Sequence, residues 1–155
     1  AELGAPAAKV AAMAGKGGDL ALGKELFTRV ACITCHAVDP KAVQKGPYLG
    51  SAGSKFTRDY LVDSVLDPAA VVSQGFRTVV LTGKDGKAHT GFVTKEEDGV
   101  VELRDITGNV TNLKADDLAS RQELPISMMP AGLANGLTLH EFNSLVEYLV
   151  SLKEG

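Results

Sequence analysis

Apolar residues recur along this chain with two different periods, and the change of period divides it. Leu22, Leu26, Phe27 and Val30 fall on one face at 3.6-residue spacing, and Asp19 stands where a helix cap is needed. A helix from Asp19 to about Val30 is predicted. Near the other end, Thr138-Leu139-His140-Glu141 reads as a capping box, and Phe142, Leu145, Val146 and Leu149 form an apolar stripe with Tyr148 beside it. A third helix is predicted from Thr57 to about Leu66. Thr57 is its cap, Tyr60, Leu61, Val65 and Leu66 are its apolar contacts, and Asp67-Pro68 is its stop. Gly23 lies on the apolar face of the first helix, one turn before Phe27. Glycine costs helix stability unless another backbone comes close, so the first and last helices are expected to cross near Gly23.

After Gln74 the pattern becomes strand-like. Phe76 to Thr82, Lys87 to Thr94, Val100 to Arg104 and Asn109 to Leu113 are rich in Val, Thr and Phe and partly alternate. Asp85-Gly86, Asp98-Gly99 and Gly108-Asn109 are turn signals between them. A fifth short strand is expected near Gln122 to Leu124. Glu96-Glu97-Asp98 reads as a solvated turn. The expected organisation is an Ala/Gly-rich extension over 1–18, a helical domain from 19–74 with 125–155, and a β insertion over 75–124. In the extension a short helix from Pro6 to Ala14 is predicted, broken by Lys16-Gly17-Gly18.

Composition changes this picture little. The chain has 155 residues, a net charge of -3 and no tryptophan, so nothing points to nucleic acid and aromatic area is scarce. No apolar run approaches the length of a membrane span. The chain opens Ala1-Glu2-Leu3 without a starting methionine, as expected of a processed or excised product.

The chemistry lies in Cys32-Ile33-Thr34-Cys35-His36. Two cysteines separated by two residues, with histidine directly after, read as a c-type haem attachment site. Thiols one helical turn apart can each form a thioether to one porphyrin edge, and the adjacent imidazole becomes the proximal iron ligand. A structural zinc site needs four ligands. The chain has no other cysteine, and its remaining histidines, His89 and His140, are distant in sequence. A thioredoxin-like redox pair starts a helix after a buried strand, whereas here a helix precedes the pair. A simple disulfide would close a very small loop and would have no use for His36. Covalent haem attachment places the protein in a periplasmic or otherwise extracytoplasmic compartment.

Electron carriers close the second face of the iron, commonly with a methionine sulfur. Met13 lies in the Ala-rich extension. Met128 and Met129 precede Pro130, which holds the residue before it extended, so Met129 is selected ahead of Met128. His89, His140 and plain core-filling roles for the methionines are the alternatives.

In order, Gly23-x-x-x-Phe27, Cys32-Ile33-Thr34-Cys35-His36, Gly46-Pro47, Met129-Pro130 and Leu145-x-x-Tyr148-Leu149 resemble a class I c-type cytochrome. The stretches GPYLGSAGSKFTRDYLVDSVLDPAAVVSQGF, GFVTKEEDGVVELRDITGNV and SMMPAGLANGLTLHEFNSLVEYL are similar to the haem-binding domain of the planctomycete and verrucomicrobial type. The resemblance runs from about Asp19 to Leu152. It implies a mainly α cytochrome c fold with an inserted small antiparallel β-sheet or partly open barrel, α+β in total, and one haem c. It also implies that the carbonyl of Pro47 accepts a hydrogen bond from the non-ligating nitrogen of His36. Tyr48, Lys55, Arg58, Tyr60 and Arg77 become candidates to bond or neutralise the haem propionates.

The function expected is that of a monohaem electron-transfer protein, or the electron-transfer domain of a larger dehydrogenase. The alternatives are a haem enzyme (peroxidase or small-molecule reductase) and a gas or redox sensor with a displaceable methionine. The partners expected are redox proteins and a fused or associated dehydrogenase. Arg29, Lys41, Lys45, Lys55 and Arg58 outweigh Asp39 between positions 29 and 58, a face that suits an acidic partner.

Overall fold

The computed structural model describes residues 15, 17–42, 45–69 and 77–153. The predicted helix from Pro6 to Ala14, Met13, Lys16 and the expected strand start at Phe76 lie outside these residues. The chain separates into two compact units, 1–71 with 130–155, and 72–129. Those divisions differ by several residues from the sequence-based boundaries at 74/75 and 124/125.

Four helices build the first unit: Leu20–Arg29 (α1), Ala52–Lys55 (α2), Arg58–Leu66 (α3) and Leu139–Ser151 (α4). Each of the longer three starts at a side chain that satisfies otherwise unpaired amides. Asp19 Oδ1 accepts from the N–H groups of Ala21 at 2.9 Å and Leu22 at 3.2 Å. Thr57 Oγ1 accepts from Tyr60 N–H at 3.2 Å. At α4 the box is reciprocal. Thr138 Oγ1 accepts from Glu141 N–H at 3.2 Å, and Glu141 Oε1 accepts from Thr138 N–H at 3.0 Å. The unit's core contains Leu26, Phe27, Leu61, Val62, Val65, Phe142, Leu145, Val146 and Leu149, all buried. Each such side chain contributes about 1.5–3 kcal/mol on leaving water.

α1 and α4 cross where the sequence places the crossing. A Cβ on Gly23 would penetrate the Ser144 carbonyl, so the backbones approach as only glycine permits. The ring of Phe27 packs on Tyr148 with centroids 5.6 Å apart, and Ser144 Oγ accepts the N–H of Asp19 at 3.0 Å. α2, which the sequence analysis does not foresee, meets the far end of α4. There Gly53 N–H donates to the Leu152 carbonyl at 2.8 Å.

Five antiparallel strands build the second unit: Val79–Gly83 (β1), Ala88–Glu97 (β2), Val100–Arg104 (β3), Val110–Lys114 (β4) and Leu118–Glu123 (β5), in the order β4-β3-β2-β1-β5. Residues 88–91 of β2 pair with β1, and residues 92–97 pair with β3, with an irregularity between Val93 and Lys95. β4 and β5 are the two edges of the sheet, yet only the 3₁₀ turn Ala115–Asp117 joins them. A link that short requires the sheet to curl until its edges approach. The turn is fastened at both ends: Ala115 N–H donates to Gly99 O, and Lys84 N–H donates to Asp117 O, each at 2.8 Å. Arg121 of β5 donates to both carboxylate oxygens of Glu96 on β2, at 2.9 and 3.1 Å. Val79, Leu81, Val101 and Leu103 form the small core inside the curl.

The fold is therefore α+β, with a five-stranded antiparallel sheet and four helices among the described residues. It is not the mainly α cytochrome c fold that the motif resemblance implies. The sheet has a core and hydrogen-bond ladders of its own, and its strands together are nearly as long as the helices together. β5 is longer than the Gln122–Leu124 segment expected, because its exposed Ala119, Ser120 and Arg121 carry no apolar alternation.

Candidate functional site

α1 ends at Arg29, and the chain turns sharply at Ala31, a left-handed residue with φ 67°. That turn starts the 3₁₀ segment Cys32–Thr34. Cys35 N–H and His36 N–H both donate to Cys32 O, at 3.2 and 2.9 Å. In 3₁₀ geometry residues i and i+3 eclipse, so Cys32 and Cys35 project to one side of the turn. Both are free, half-buried thiols, and Cys32 packs against the helical core. Burial pushes the Cys32 thiol up to about 11, against a smaller lowering by a backbone hydrogen bond. A redox dithiol needs a depressed thiol pKa, and Cys32 has the reverse.

The segment from Gly46 to Leu49 lies against residues 35–38. His36 Nδ1 is 2.7 Å from Pro47 O. Since a carbonyl can only accept, Nδ1 carries the proton. The other ring nitrogen, Nε2, then keeps its lone pair. Burial lowers the His36 pKa more than the Pro47 contact raises it, so the ring is held neutral. A Cβ on Gly46 would stand 3.4 Å from both His36 Cε1 and Cys35 O, at the edge of ordinary van der Waals contact, so Gly46 lies directly against the ring. Leu49 N–H donates to Ala37 O at 2.9 Å, and Tyr48 Oη donates to Val38 O at 3.3 Å. Cys32, Cys35, His36, Pro47 and Tyr48 are thus brought together.

The other predicted contacts are distributed differently. Lys55 is exposed at the end of α2. Tyr60 stacks on Phe56, with centroids 4.6 Å apart. The Arg58 guanidinium donates to Asn143 Oδ1 at 3.0 Å and lies 3.7 Å from Glu147, both on α4. Arg77 is exposed and belongs to the unit 72–129, as does the half-buried Met129. Met129 N–H donates to Ser127 Oγ at 3.1 Å. His140 is exposed, and His89 is half-buried opposite Leu81. Of the cationic residues between 29 and 58, Arg29 pairs with Glu141 and Glu25, and Arg58 faces Glu147. Lys41 and Lys55 remain exposed, and Lys45 is half-buried.

Sequence reasoning passed over Ser127, Asn143 and Glu147. A serine two residues before the methionine is a local hydrogen-bonding signal that could have singled out the first. The other two face Arg58 through a tertiary contact and leave no local mark. Among the described residues no group of three or more His, Cys, Asp or Glu is placed to hold a metal ion, and no helix is long and apolar enough to cross a membrane. The donors fit a covalently held haem by their chemistry: two thiols on one side of a turn, followed by an imidazole whose Nε2 is free to ligate. No protein-family model matches the chain, and comparison with curated proteins finds no match.

Proposed function

We propose that this chain carries one covalently attached haem c and passes single electrons between redox partner proteins in an extracytoplasmic compartment. The observation that carries the reading is the 2.7 Å contact between His36 Nδ1 and Pro47 O, directly after the two cysteines. It fixes the tautomer, aims the ring plane and raises the basicity of Nε2, as a proximal ligand requires. When bound, the haem iron supplies the chemistry by gaining and losing one electron.

The chain's own residues do the rest. Cys32 and Cys35 would each hold the haem through a thioether. His36 would hold the iron through Nε2, and Met129 is the sequence's candidate for the second ligand, which would leave no open position for substrate. That arrangement favours an electron carrier over a peroxidase, a reductase or a gas sensor. Tyr48, Lys55, Arg58, Tyr60 and Arg77 are the propionate candidates, since buried carboxylates need donors or cations. Arg58 is the most constrained of them, because Asn143 and Glu147 already engage it. The acceptor or donor protein includes, in this reading, a dehydrogenase fused to or associated with this chain.

The test is the mass and colour of protein made in a haem-attaching periplasm. The expected result is a haem that stays with the unfolded polypeptide and is lost in the Cys32→Ala/Cys35→Ala double variant. A native mass equal to the bare chain overturns the reading. The Met129→Ala variant should lose the weak far-red sulfur-to-ferric-iron band.

A further inference from the structure

We propose that Asn135-Gly136 is a site of spontaneous backbone modification, at which the folded protein converts Asn135 to aspartate and isoaspartate through a cyclic imide. The chain has four asparagines, and Asn135 is the one followed by glycine. Asn109 and Asn112 are followed by Val110 and Leu113, whose side chains crowd the attacking nitrogen and whose strand is paired with β3. Asn143 lies inside α4, is 8% exposed and holds Arg58 through Oδ1 at 3.0 Å.

The chemistry needs a side-chain amide that can swing and a following N–H that nothing engages. The turn before α4 provides both. Asn135 and Gly136 are exposed, and among the described residues neither the Asn135 side chain nor the Gly136 N–H has a hydrogen-bond partner. A Cβ on Gly136 would meet nothing within 4 Å, so the approach to its nitrogen is open. The neighbouring main chain is fixed instead. Asn135 N–H donates to Gly132 O at 3.1 Å, and Leu137 N–H donates to Ala134 O at 3.0 Å. The Asp-Gly turns of the sheet differ. Gly86 N–H donates to Gly83 O at 3.0 Å and Asp85 Oδ1 accepts from Lys87 N–H at 2.9 Å, so both reactants there are engaged. Asp98 offers a carboxylate, a poorer electrophile than an amide.

The step needs only water. The Gly136 nitrogen bonds to Asn135 Cγ and gives its proton to solvent, while the Cγ–Nδ2 bond breaks and ammonia leaves. Water then opens the imide ring. Cleavage of the new Cγ–N bond yields aspartate, and cleavage of the main-chain bond yields isoaspartate, which lengthens the backbone by a methylene. That methylene falls between Ala134 and Leu137, 2% and 5% exposed, within the span of their hydrogen bond. Isoaspartate therefore loosens the entry to α4.

The experiment incubates the full chain at neutral pH, folded and in parallel unfolded in urea. Isoaspartate is followed by peptide mass mapping and by methyl labelling with an isoaspartyl methyltransferase. The expected result is label at position 135 of the folded chain, at a rate comparable to that in urea, with faster amide exchange at Leu137. Gly136→Ala, whose methyl fits the open space, and Asn135→Gln, whose longer side chain would have to close a larger ring, should each lose the label over the same incubation. Label that forms only in urea overturns the proposal, because the folded turn then protects Asn135. Label absent from both samples, or undiminished in Gly136→Ala, overturns it as well. Unchanged Leu137 exchange in labelled protein overturns the effect on α4.

Discussion

The helical unit and the sheet unit reach stability by different routes. Among the described residues, the helical core joins twelve buried residues, including Phe27 and Phe142, whereas the sheet core joins four, all Val or Leu. The helical unit depends on large side chains and on close backbone approaches such as those at Gly23 and Gly53. The sheet unit depends on continuous ladders, a fastened turn and the Arg121–Glu96 pair across its curl. In the first, large buried side chains such as Phe27 and Phe142 each carry more of the energy. In the second, energy is spread over the backbone, and each side chain carries less.

The sharpest way to break this contrast is Phe142→Ala, which removes a fully buried ring. It should cost about 3–5 kcal/mol in equilibrium urea unfolding. Leu81→Ala, also fully buried, should cost about 2–4 kcal/mol, read from amide exchange in β1 and β2. A Leu81→Ala cost above that of Phe142→Ala would reverse the ranking of the two cores. Gly23→Ala pushes a methyl into the Ser144 carbonyl and should cost about 1–3 kcal/mol by the same urea measurement. A neutral outcome there would mean that the helices separate without penalty.

The smallest effect is electrostatic. Glu141 is held below its usual 4.5, first by the Thr138 N–H and next by Arg29. A carboxylate depressed in the folded state contributes stability above its unfolded pKa and loses it as pH falls through the folded value. Stability of the helical unit should therefore decline below about pH 4.5, and Glu141→Gln should flatten that limb. Asp105 in the sheet unit shifts the same way, held first by the Thr107 hydroxyl and then by the amides of Asn109 and Thr107. Asp105→Asn is the matching measurement. An acid limb unchanged in both variants would remove this linkage from each unit.

Local signals account for much of what was legible. Asp19, Thr57 and the Thr138/Glu141 pair cap helices because their side chains bond amides two or three residues away, a relation written wholly in sequence. Gly23 marked a helix crossing because a glycine on an apolar face has a cost that only a close backbone offsets. The strand runs and their glycine turns were visible for the same reason. α2 escaped because four residues with one buried alanine show no period. β5 escaped in part because an exposed edge strand shows no alternation. The mainly α expectation failed because it weighed the motif resemblance above the strand runs the sequence itself showed, which build a sheet nearly as extensive as the helices.

Sequence alone determined the cysteine and histidine spacing, the caps and the apolar faces, since each depends on neighbours within a turn or two. Tertiary structure decided the His36 tautomer, because the proton goes to whichever nitrogen faces a carbonyl eleven residues away. It also decided the curl of the sheet, where a three-residue turn joins strands that lie at opposite edges of the ladder. Bonds between distant residues form only when loop closure is repaid by many contacts together, and no short window of sequence records that sum.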